Sequence, residues 1–190
     1  NPDPLAHLTH QEWVRTMFPD YAPIENAPHH NEAWDRSWTV KKGDSPEPIV
    51  MCFARKGGKS ATLEMIIAAT ILRGRRMYWL YVSETQDQAD EHVQSITYLF
   101  ERETVASYYP HHSTPYVNKI GTQKDWRRNR MRTKGGGILD ALGLNTAKRG
   151  IKVQGQPPDG CAIDDVDHIY DSAGATAKKE RTIKNDILGM

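Results

Sequence analysis

Apolar positions along the chain switch between two periods, and the switches lay out an α/β order. Leu8, Trp13, Val14 and Phe18 predict a short amphipathic helix after Thr9. The stretch APHHNEAW reads as a loop entering a second helix, with Trp34 and Trp38 four apart on one face. The turn cluster KKGDSPEP follows. Then IVMCFA, residues 49–54, is an unbroken apolar run of strand length, which predicts a strand buried on both faces of a parallel sheet. A helix from about Ser60 to Leu72, a strand in RMYWLYVS and a helix in ETQDQADEHVQSITYLFERE come next. The last carries Ala89, Val93, Ile96 and Phe100 at helical spacing.

Beyond this βαβα run, residues 105–125 read as irregular, with YYPHHSTPY a surface loop. WRRNRMRTKGGGILDALGL predicts two strands joined by a turn at 135–137. NTAKRGIKVQGQPPDG reads as loop, CAIDDVD as a short strand ending in acid, and 173–190 as helix with Ile183 and Ile187 four apart. The expected fold is therefore α/β with a mainly parallel central sheet. Residues 1–47 form a helical and loop lead-in, and 48–190 form the core.

Composition agrees with a globular domain: 190 residues, 38% hydrophobic and 26% charged. No apolar stretch approaches the roughly 18 residues of a membrane span, and the polar, proline-containing start does not read as a secretory leader. Cys52 and Cys161 lie in apolar runs and are expected to be buried thiols. The formal charge of +1 conceals an uneven distribution. Ten basic residues lie between positions 119 and 152, opposed by Asp125 and Asp140 alone, a patch suited to a polyanion.

The main chemical signal is Phe53-Ala54-Arg55-Lys56-Gly57-Gly58-Lys59-Ser60. A phosphate-binding loop needs a fixed strand before it, glycines that let the backbone wrap phosphate, a lysine for the outer phosphates, and a hydroxyl for Mg2+ at the start of a helix. Gly57 and Gly58, Lys59, and Ser60 fill these places, with Arg55 and Lys56 adding positive charge. The first glycine of the usual GxxxxGK[ST] pattern is replaced by Phe53.

The partner signal is Cys161-Ala162-Ile163-Asp164-Asp165. A magnesium–nucleotide site needs a carboxylate at a strand end near the phosphates and an acid that orients and deprotonates water. Asp164 suits the first role and Asp165 the second, with Asp167 a substitute. Many such ATPases carry Glu at the second position, one methylene longer.

Taken together, RKGGKS, YVSETQDQADEHVQSI with its T-x-x-Q-A pattern, KRG, and PPDG leading to CAIDDVD resemble the N-terminal ATPase domain of phage and prophage terminase large subunits. The likeness extends roughly over residues 28–171. It implies a RecA-like three-layer P-loop fold with Walker A and Walker B motifs, ATP and Mg2+ as ligands, and ATP-driven packaging of double-stranded DNA. The implied partners are a portal protein and a small terminase subunit. The implied setting is a ring docked on a procapsid in the host cytoplasm, with no membrane. Arg55 would sense the outer phosphate within its own subunit, and Arg149 would act across a subunit interface. The Ser/Thr-rich coupling motif and the acidic nuclease domain of this family have no counterpart in the sequence. A nucleotide-binding or DNA-binding module without efficient hydrolysis, or another P-loop enzyme such as a helicase, are the competing readings.

Arg127, Arg128, Arg130, Arg132 and Lys134 are candidate DNA contacts, expected to be phosphate-directed; a solvated hairpin face is the simpler reading and a subunit interface a further alternative. His29, His30, His111 and His112 form adjacent pairs that suit loops better than metal ligation. Trp34 and Trp38 read either as core or as cover for an adenine base.

Overall fold

The computed structural model describes residues 3–21, 27–146, 155–168 and 170–188. Helix α1 spans His10–Met17. Its start is fixed reciprocally: Thr9 Oγ1 accepts from the Glu12 amide, and Glu12 Oε2 accepts from the Thr9 amide. Helix α2, Pro28–Trp38, begins on a proline, whose missing N–H would be unpaired there in any case. The indoles of Trp13, Trp34 and Trp38 meet edge to face, and Trp13 and Trp34 are fully buried. Trp34 and Trp38 are thus built into the packing of α1 on α2, and the core alternative is the one observed. The Arg73 guanidinium lies 3.4 Å over the Trp38 ring.

Helix α3, Lys59–Leu72, is apolar around nearly its whole circumference because it is covered on several sides. Strand β1, Tyr78–Ser83, leads into α4, Gln86–Phe100. A six-residue helix α5, Glu103–Tyr108, then buries Val105, in a stretch that the sequence pattern left largely irregular. The expected hairpin has three strands: β2, Trp126–Arg127; β3, Arg130–Arg132; and β4, Ile138–Gly143. Strand β5, Gly160–Ile163, is followed by α6, Ala173–Thr182, which runs into a π turn at Ile183–Ile187.

The five strands form one sheet in the order β2-β3-β4-β1-β5. β1 pairs in parallel with β4 and with β5, whereas β2–β3 and β3–β4 are antiparallel. The fold is therefore α/β as expected, but the sheet is mixed, not mainly parallel, because the hairpin contributes two antiparallel strands. Successive β1 side chains alternate between faces. Tyr81 joins the large core shared by α1 to α4, and Leu80 and Val82 pack with Leu142, Leu144 and Ile187 on the other side. Lead-in residues Leu5, Trp13, Val14, Met17, Phe18, Ala33 and Trp34 belong to that same large core.

Two expectations fail at residues 49–54. The run forms no strand and pairs with no strand of the sheet among the described residues, and Val50 is 81% exposed. Apolar composition is not enough for a strand: each backbone N–H and C=O needs a partner. Here Pro46 and Pro48 lack an N–H, and carbonyls of the approach are held by side chains instead, Asp44 O by Arg76 at 2.6 Å and Pro48 O by Arg36 at 3.4 Å. Cys52, on this run, and Cys161, on the terminal strand β5, are both exposed, contrary to the buried thiols expected.

Candidate nucleotide site

The turn ahead of α3 is tight. The Gly57 amide donates to Ala54 O at 2.9 Å. A Cβ on Gly57 would fall 2.8 Å from that same oxygen, so the turn closes only around glycine there. Gly58 adopts φ +74° and delivers the chain into α3, with Lys59 and Ser60 on its first turn. Lys56 also lies in the left-handed region, at φ +63°, and both Arg55 and Lys56 are exposed. The loop is propped from outside by α2. His30 Nε2 lies 2.7 Å from Gly57 O while His30 Nδ1 accepts from the Ala27 amide at 3.2 Å, which assigns the proton to Nε2. The rings of His29 and His30 pack against Phe53.

The parallel β1–β5 register carries Asp164 to this loop from a position 104 residues further on. Asp164 is 5% exposed, with Oδ1 2.6 Å from Lys59 Nζ and Oδ2 accepting from Ser60 Oγ at 3.0 Å. Oδ2 also accepts from the Tyr81 hydroxyl at 3.1 Å. Burial would raise the Asp164 pKa, but hydrogen bonds from Lys59 and Ser60, with the lysine's charge, outweigh it and hold the carboxyl below its usual range. The hydrogen bond to Asp164 likewise raises Lys59. Burial, reinforced by the nearby carboxylates, raises Tyr81 and keeps it a donor.

Asp165 follows in the left-handed region at φ +51°, exposed, and its carbonyl accepts from the Glu84 amide at 3.4 Å. Beside it at the end of β1, the Ser83 hydroxyl is buried with no hydrogen-bond partner among the described residues. By strand alternation it shares the face of Tyr81, one pleat nearer the sheet's C-terminal rim. The Ser60 hydroxyl and the Asp164 carboxylate at the glycine turn are hard oxygen groups that fit Mg2+ and its water shell. Neither Tyr81 nor Ser83 was singled out by sequence reasoning; in a strand of alternating aromatic and aliphatic residues, both resemble ordinary core.

Behind Tyr81 lies a polar brace. Its ring stacks on His92 at 4.7 Å, His92 Nδ1 sits 2.7 Å from Glu64 Oε1, and Ser95 Oγ donates to Glu64 Oε2 at 2.7 Å.

The candidate DNA contacts divide. Arg130 is bidentate on buried Asp140, which also accepts from the Tyr78 hydroxyl at 2.7 Å. Arg128 lies near Asp87 and Glu91, and Arg132 stacks on Tyr116 at 3.9 Å. Arg127 and Lys134 are exposed. Arg149 lies outside the described residues. His112 is fixed by Thr133 Oγ1 at 3.1 Å, and burial pushes its pKa down to about 4. Among the described residues no helix is long and apolar enough to cross a membrane. No protein family, curated protein or solved structure matches the chain.

Proposed function

We propose that the chain is a magnesium-dependent P-loop ATPase domain of a DNA-translocating motor, with a RecA-like core of the terminase large subunit type. The observation that carries the reading is the convergence of Lys59, Ser60 and Asp164 at a glycine turn opening a helix. The resemblance of the surrounding motifs supplies the motor, its double-stranded DNA, and its portal and small-subunit partners.

In this reading Lys59 leaves Asp164 to neutralise the outer phosphates, while the amides at the start of α3 face them. Ser60 and Asp164 hold Mg2+, which supplies positive charge against the phosphate oxygens. Asp165 orients the attacking water and accepts its proton. Arg55, and Arg149 of a neighbouring subunit, oppose the charge that spreads over the transferred group.

The test is magnesium-dependent phosphate release over a wide range of protein concentration, beside Lys59→Ala and Asp165→Asn. Turnover that rises faster than linearly and vanishes in both variants is expected. Turnover undiminished in Lys59→Ala refutes the reading. A binding module without efficient hydrolysis is the second reading, favoured by the short acid at position 165; ATP binding without phosphate release selects it.

A further inference from the structure

Among the described residues the Asp164 carboxylate has three side-chain partners, and the proposed chemistry calls on two of them elsewhere. Lys59 must turn to phosphate, and Ser60 must offer a lone pair to the cation, keeping only its proton for the carboxylate. The partner with no other duty is the Tyr81 hydroxyl, 3.1 Å from Oδ2. Tyr81 is fully buried in the middle of the sheet, on a strand paired on both sides. Its ring is backed by His92, itself tied to Glu64 on α3. Glu64 stands four residues after Ser60, on the same helix that carries Lys59. The brace therefore links α3, β1, α4 and the end of β5.

Resting on the nucleotide-site reading, we propose that Tyr81 is the fixed anchor of Asp164, a positioning residue that keeps the carboxylate aimed at a divalent cation once Lys59 has turned to phosphate and Ser60 to the cation. His92, Glu64 and Ser95 hold the tyrosine ring in place for that task. Groups that orient a metal-binding carboxylate contribute about 10- to 100-fold in metal affinity.

The experiment measures Mn2+ binding to the ADP-loaded chain by electron paramagnetic resonance, and ADP binding in EDTA, for the unmodified chain, Tyr81→Phe, His92→Phe and Lys59→Ala. Tyr81→Phe keeps the ring and its stacking and deletes the hydroxyl. It is expected to weaken Mn2+ about tenfold and leave ADP affinity in EDTA unchanged. Unchanged Mn2+ affinity overturns the proposal. So does an equal loss of ADP affinity in EDTA, which would mark Tyr81 as general packing. If circular dichroism finds Tyr81→Phe unfolded, His92→Phe carries the test: selective loss of Mn2+ affinity supports the anchor, and its retention overturns it. If the unmodified chain and Lys59→Ala bind ADP and Mn2+ equally poorly, the nucleotide reading itself has failed and the anchor falls with it.

Discussion

His30 Nε2 donates to the carbonyl of Gly57 at 2.7 Å, which ties the first turn of α2 to the turn that opens α3. With the Ala27 amide on Nδ1, both ring nitrogens are satisfied. The contact fixes a carbonyl whose peptide must keep its orientation if the neighbouring amides are to face phosphate. His30→Ala should therefore weaken nucleotide binding, and because the bond is formed without nucleotide it should also lower unfolding stability by about 1 kcal/mol, the net contribution of a neutral hydrogen bond. Titration with a fluorescent ATP analogue checks this; unchanged affinity would leave the contact a packing detail.

A second long-range tie lies at the far end of α3. Asp3 Oδ2 accepts from Arg73 Nε at 3.0 Å, both side chains nearly buried, and Asp3 Oδ1 accepts from the Tyr109 hydroxyl at 2.7 Å. Tyr109 in turn receives the Trp13 indole N–H at 3.0 Å. Removing one member of a buried ion pair strands the other. Asp3→Ala should cost about 3 kcal/mol in urea unfolding, and Tyr109→Phe about 1 kcal/mol. A double-mutant cycle between them should be non-additive, since both act on one carboxylate.

Much of this architecture was legible because its determinants are local. The T-x-x-Q-A pattern is a capping box: Thr85 Oγ1 accepts from the Gln88 amide, Gln88 Oε1 accepts from the Thr85 amide, and Ala89 is buried. The glycine turn and the acidic strand end are likewise local chemistry. Sequence failed where a partner far along the chain decides the outcome. Residues 49–54 have the composition of a buried strand, but composition does not name a neighbour to pair with. Helix α5 is too short to show a period. His30 and Tyr81 become interesting only beside Gly57 and Asp164, which stand 27 and 83 positions away.

The basic hairpin separates into structural and available charges. Arg130 neutralises buried Asp140, so Arg130→Ala should destabilise the fold by about 2 kcal/mol, less than for a fully buried pair because Arg130 is partly solvated. Arg127→Ala and Lys134→Ala should leave stability unchanged. If the hairpin binds DNA, each should lower the slope of log affinity against log salt by about 0.9 for every phosphate left without its cation. Thermal unfolding together with salt-dependent DNA binding separates the two classes. Weaker DNA binding by Arg130→Ala at unchanged stability would reverse the assignment.

His92 makes stability depend on pH. Its hydrogen bond to Glu64 raises its pKa against the opposing effect of burial. The folded state thus holds the proton more tightly than the unfolded chain. The stabilisation is complete below the ordinary histidine value of about 6.5 and fades as pH rises through the higher folded value. His92→Gln should be less stable than the unmodified chain at pH 6, and the gap should narrow by pH 9. Urea midpoints across that range test it, and a gap independent of pH would assign the effect to packing.

Asp165 poses a problem of backbone as well as charge. At φ +51° it occupies a region that Asp and Asn enter more readily than other non-glycine residues. Asp165→Asn therefore removes the charge while keeping the backbone preference, whereas Asp165→Ala changes both and should lose about 1 kcal/mol of stability besides. If Asp165 accepts the proton from water, Asp165→Asn should lower turnover about a hundredfold or more at unchanged stability and unchanged ATP affinity. Glu84 is the neighbouring carboxylate on this rim, its amide bonded to the Asp165 carbonyl. It is held by Lys179 of α6, with Nζ 2.6 Å from Glu84 and 2.5 Å from Asp171. Turnover retained in Asp165→Asn and lost in Glu84→Gln would move the base to that position, and would require α6 to release Glu84 before the chemistry begins.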